Sequence, residues 1–140
     1  MPEALRRTSF RIVVRKVEPP FESDAERELD WICETLGLSP SFDSDSYPAQ
    51  IFKAIVRSTE SGKGVSSTQL SDEMQLSRGA VIHHLNNLQR AGLVVKDGRL
   101  YFSRSRSMVR TVQEIEGDIR RIFDKMEKIA SAIDREMGIE

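Results

Sequence analysis

The feature that most limits the folds open to this chain lies near its C-terminus. Met108, Val112, Ile115, Ile119, Ile122, Met126, Ile129 and Ile133 follow one another in alternating steps of four and three residues. An α-helix repeats every 3.6 residues, so these side chains form one continuous stripe, the a and d positions of a sustained heptad series. Charged residues such as Glu114, Arg120, Arg121, Asp124, Lys128 and Arg135 fill the positions between. A helix of this length spans about 40 Å at 1.5 Å per residue, too long to pack on one small domain. Residues 106–140 are therefore expected to form a long helix whose apolar seam needs a coiled-coil partner.

Composition agrees with a small domain carrying such an appendage. The chain has 140 residues, of which 39% are hydrophobic and 31% charged, values ordinary for a folded water-soluble protein. No run of 18 apolar residues occurs, and the first ten residues lack the apolar core of a signal peptide, so a cytoplasmic location is expected. The lone Cys33 excludes an intrachain disulfide and any CxxC metal or redox motif. The formal net charge of −1 conceals a segregation: residues 19–47 carry −7, whereas residues 64–107 carry +3. The basic segment is compatible with phosphate, with salt-sensitive binding of limited strength per subunit.

Taken in order, residues 8–17 alternate Phe10, Ile12 and Val14 with Arg11 and Arg15, which predicts a strand stopped by Pro19 and Pro20. Ser23 with Glu26 forms a capping box for a helix over residues 24–36, with Ala25, Leu29, Ile32, Cys33 and Leu36 on its apolar stripe and Gly37 ending it. Residues 1–47 thus form a strand-helix extension, closed by a polar turn-forming linker over residues 39–47. Pro48 opens a helix to about Thr59, with Ile51, Phe52, Ile55 and Val56 facing a core. Ser66 with Gln69 caps a short helix carrying Leu70 and Met74. Residues 93–102 read as a hairpin around Asp97-Gly98, a pair suited to two positive φ angles, with Lys96 and Arg99 flanking its tip. The expected fold class is mainly α with a small β-hairpin, an α+β arrangement.

Residues 77–91 carry the chemistry. Val81, Leu85 and Leu88 make a buried stripe at i, i+4 and i+7, while Arg78, Gly79, Ile82, His83, Asn86 and Arg90 fall roughly opposite. Arg is suited to guanine edges and Asn to adenine edges in a DNA major groove. Ser77 caps this helix and Gly92 ends it.

The span 48–102 resembles the winged helix-turn-helix domain of prokaryotic transcription regulators, especially the ArsR- and MarR-like groups. Those families show a stretch like S-x-x-L-x-x-x-x-x-L-S-x-x-x-V-x-x-H-L-x-x-L-x-x-x-G-L-V. Here Ser67, Leu70, Leu76-Ser77, Val81, His84-Leu85, Leu88 and Gly92-Leu93-Val94 stand in register with it. The resemblance implies a DNA-binding domain over residues 48–105, with helix 77–91 in the major groove and wing 93–102 on the backbone or minor groove. Carried over by position, it implies Arg78, Gly79, His83, Asn86 and Asn87 as base-facing candidates, Ser67 and Thr68 as phosphate contacts, and Lys96 and Arg99 on the wing. Ser77 and Arg90 complete the expected DNA-binding set. In a regulator the simplest partner for the heptad helix is a second copy, so a homodimer is expected, although Ile and Met at both seam positions do not by themselves fix two strands.

Three positions depart from that family pattern: Ile82 stands where many relatives have a polar or basic residue, and Gly79 and Ala80 where they have a hydroxyl residue. Gly79 permits close backbone approach but reads nothing, and Ile82 could touch only a thymine methyl. His84 sits beside the core stripe and reads as scaffold, and His83 and His84 diverge by about 100° around the helix, so they cannot chelate one metal. Cys33 reads as a buried structural thiol, and no metal site or cofactor is expected.

Residues 1–47 allow an extension packed on the domain or its partner, which is preferred, or a ligand-sensing element lined by Trp31, Phe21 and Phe42. Arg6 and Arg7 read as a basic arm or a plain tail. No carboxylate pair, nucleophile constellation or phosphate-binding glycine loop points to an enzyme. The alternative class is a winged-helix assembly module that does not read DNA; the effector stays open, and no membrane partner is expected.

Overall fold

The computed structural model describes residues 12–21, 24–38 and 47–139, without the side chain of Glu26. Within them, five helices and one small sheet follow the order α1 (Ala25–Thr35), α2 (Tyr47–Glu60), β1 (Val65–Ser66), α3 (Ser67–Met74), α4 (Arg78–Arg90), β2 (Val94–Asp97), β3 (Leu100–Ser103) and α5 (Met108–Met137). The chain divides after Arg106 into two compact units.

The first unit is built around α2, whose Ile51, Phe52 and Ile55 are fully buried together with Leu70 of α3 and Val81, Leu85 and Leu88 of α4. Neither α3 nor α4 is long enough to persist alone, so this shared apolar core is what orders them. Local signals fix their ends. Ser66 Oγ accepts from Gln69 N–H at 3.1 Å while Ser66 N–H donates to Gln69 Oε1 at 2.9 Å, the expected capping box. Ser77 Oγ accepts from Ala80 N–H at 3.2 Å and starts α4. Leu93 N–H returns to Leu88 C=O at 3.1 Å and closes its far end. The turn between α3 and α4 is held by Gln75 in the left-handed region, φ 54°, with its N–H on Ser71 C=O, and by Ser71 Oγ donating to Leu76 C=O.

Three features differ from the sequence expectation. The hairpin turn lies one residue later, at Gly98-Arg99, since Asp97 pairs with Leu100. Gly98 has φ 63° and Arg99 a negative φ, the pattern in which only the first turn position needs glycine. A third strand also forms: β1 pairs antiparallel with β3, giving the order β1-β3-β2. Two residues carry no periodicity, and β1 exists only because β3 offers it an edge.

The third difference lies in the N-terminal segment. Residues 12–20 join no sheet, and residues 8–11 of the expected strand lie outside the described residues. Among the described residues the alternation has no neighbouring strand to pair with, and the polar groups shown there bond to α1 instead. Arg15 N–H donates to Thr35 C=O at 2.7 Å, and Trp31 Nε1 donates to Val17 C=O at 2.9 Å. Trp31 thus fastens the segment, while Phe21 is fully exposed among the described residues. Phe42, Arg6, Arg7 and the cap residue Ser23 lie outside the described residues.

The second unit is α5, 30 residues capped by Ser107 Oγ on Arg110 N–H. Ile115 is buried and Met108 and Ile119 are half-buried. Val112, Ile122, Met126, Ile129 and Ile133 are exposed, and from residue 120 onward every described residue of the chain is exposed.

Candidate nucleic-acid interface

The register of α4 sets the site. With Val81, Leu85 and Leu88 turned inward, Arg78, Ile82, Asn86 and Gln89 form a row along one flank of the helix, each one turn from the last. Facing that row are the hairpin residues Lys96, Gly98, Arg99 and Tyr101, and the floor is closed by Ser66, Ser67 and Thr68 at the start of α3. Together they line an open groove of about 660 Å³.

The groove is cationic. Arg78, Lys96 and Arg99 line it, and among the described residues no carboxylate does. Lys96 and Tyr101 are cross-strand partners, and Lys96 Nζ lies 5.6 Å from the Tyr101 ring centroid. That contact restrains the ammonium without neutralising it, so its charge is available to an anion in the groove. Asn86 supplies a donor and an acceptor, and Ile82 a single apolar surface.

Of the positions expected from sequence, Ser67, Thr68, Arg78, Asn86, Lys96 and Arg99 come together around this groove. Gly79, His83, Asn87 and Arg90 do not line it. They follow the neighbouring row of α4, where Asn87 Nδ2 lies 3.4 Å from His83 Nε2. At Gly79 an added Cβ would meet nothing within 4 Å, so that stretch of backbone is open to close approach. Ser77 is engaged as the helix cap. Gln89 and Tyr101 also line the groove, outside the expected set. Gln89 continues the 78-82-86 row at i+11, a signal present in the sequence, whereas Tyr101 depends on the strand register.

His84 lies on the far side of α4, its ring centroid 6.3 Å from that of Tyr47 and 5.5 Å from that of His83. Partial burial, and secondarily His83, push its pKa below the usual value. Cys33 is fully buried and its pKa is pushed up to about 12 by burial first, then by Asp30 and Glu34, so it is an inert thiol. Among the described residues no group of three His, Cys, Asp or Glu side chains could hold a metal ion. No described helix is long and apolar enough to cross a membrane.

Three helices around one core, the second and third joined by a tight turn and followed by a hairpin, define a winged helix-turn-helix domain. Residues 55–96 match the family described as bacterial regulatory protein, arsR family. Over that span the chain is similar to helix-turn-helix regulators of the ArsR type, which supports a DNA-binding regulator in general. It matches no curated protein and no solved structure.

Proposed function

We propose that this protein is a sequence-specific regulator that binds double-stranded DNA as a homodimer, with α4 in the major groove and the β2–β3 wing on the backbone or minor groove. The observation that carries the reading is the groove between α4 and the wing, where Arg78 and Asn86 supply base-reading groups and Lys96 and Arg99 supply charge for phosphate. A single such surface discriminates weakly, and pairing two copies raises effective affinity through a second linked contact. The exposed seam of α5 supports the pairing, since Ile122, Met126, Ile129 and Ile133 are between 46% and 62% exposed in the single chain. Two copies spaced by about 34 Å would require a palindromic operator.

The test is affinity for duplex DNA as a function of salt. Log Kd should rise linearly with log salt at about 0.9 per phosphate neutralised. Salt-independent or absent binding would favour the assembly-module class instead. In parallel, the double variant Ile122→Asp, Ile129→Asp should sediment as a monomer with its helix content otherwise retained. A persistent dimer would move the interface elsewhere.

A further inference from the structure

The groove contains one residue whose chemistry does not suit phosphate at all. Ile82 is 39% exposed and stands on α4 between Arg78 and Asn86, one turn from each, in a groove otherwise rimmed by cations and polar groups. The core stripe Val81, Leu85 and Leu88 is fully buried without it, so packing does not explain its presence. Scattered exposed aliphatic residues are common on protein surfaces. What distinguishes Ile82 is its place in the middle of the row that would face base edges. A β-branched side chain on a helix holds essentially one χ1 rotamer, which makes it a fixed apolar knob.

In the major groove the apolar group on a base edge is the C5-methyl of thymine. We infer that Ile82 is a specificity-determining residue that reads a thymine methyl within each half-site. This rests on the DNA-binding reading above and names the base that reading leaves open. The neighbours set the context. The four residues from Arg78 to Ile82, and again from Ile82 to Asn86, advance about 6 Å along the helix, and one base step about 3.4 Å. The thymine therefore lies about two base steps from the guanine read by Arg78, and about two on the other side from the adenine read by Asn86. Contact with the methyl removes apolar surface of both partners from water, and a hydrogen in place of the methyl leaves a gap over Ile82.

The experiment starts from the duplex that the wild-type protein selects from a random pool. That duplex is remade with uracil replacing thymine at one position at a time, which deletes the methyl and keeps every hydrogen-bonding group. Wild type should lose about fourfold in affinity at one thymine per half-site, the worth of one buried methyl group. Ile82→Ala should bind thymine and uracil duplexes equally at that position, and Ile82→Val should retain part of the discrimination. Circular dichroism and the salt slope of Ile82→Ala should match wild type, separating lost contact from lost fold. If a site is selected but no thymine is methyl-sensitive, the inference fails while the DNA-binding reading stands. If the sensitivity survives in Ile82→Ala, the methyl is read by another residue. If the pool yields no preferred sequence and binding does not depend on salt, the DNA-binding reading itself fails, and the inference with it.

Discussion

Thr59 Oγ1 accepts a 2.9 Å hydrogen bond from the backbone N–H of Ser103 while donating one of 2.7 Å to the carbonyl of Ile55. This buried hydroxyl joins the end of α2 to the last residue of the wing, 44 positions away in sequence. Ser103 N–H would otherwise be a buried donor without a partner, which costs more than an average hydrogen bond contributes. Thr59→Val keeps the shape and removes the acceptor, and should destabilise the domain by about 1–3 kcal/mol in urea unfolding. Thr59→Ser should recover most of that loss.

The approach to β1 provides a second test. Gly64 has φ 66°, and a Cβ placed there would lie 2.6 Å from Phe102 Cζ. Gly62 has φ 78° but open space around it. Gly62→Ala should therefore cost about 1–2 kcal/mol, the strain of a left-handed residue alone. Gly64→Ala should cost more, because the Phe102 ring must also move. Equal melting temperatures for the two variants would show that the ring yields freely.

Base reading should divide along the two rows of α4. Arg78→Ala and Asn86→Ala should each weaken binding to the selected duplex by about 1–3 kcal/mol, as loss of a bidentate base contact does. Gln89→Ala should also weaken it, and His83→Ala should change it less than any of these. Lys96→Ala and Arg99→Ala should lower the salt slope by about one each, with little change in sequence preference. Titrations with each variant across salt concentrations distinguish the two behaviours.

His84 predicts a pH dependence. Its folded pKa is held below the unfolded value of about 6.5, first by burial and then by His83. The unfolded chain therefore binds the proton more readily than the folded one. Stability should be complete above about pH 6.5 and fall as pH drops through 6.5 towards the lower folded value. Unfolding of His84→Gln measured across that range should lack this component.

Much of the fold was legible because helices announce themselves locally. The heptads of α5, the capping box at Ser66 and Gln69, the cap at Ser77 and the stripe Val81, Leu85, Leu88 each depend on neighbours within a few turns, and each stands where its spacing puts it. The site was legible in part. The spacing of Arg78 and Asn86 in the sequence already put them outside the core, and it put His83 and Arg90 there as well.

Tertiary structure decided the rest. Periodicity fixes the angle of a side chain around its own helix but not which neighbouring element that angle meets. Only the docking of the hairpin beside α4 assigns the 78-82-86-89 row to the groove and leaves His83, Asn87 and Arg90 off it. Strands are pairwise objects, so residues 12–17 alternate without becoming one, while Val65 and Ser66 become one by meeting β3. Sequence set the parts and their faces; the long-range pairings across the sheet and between α2 and Ser103 set which faces meet at the candidate site.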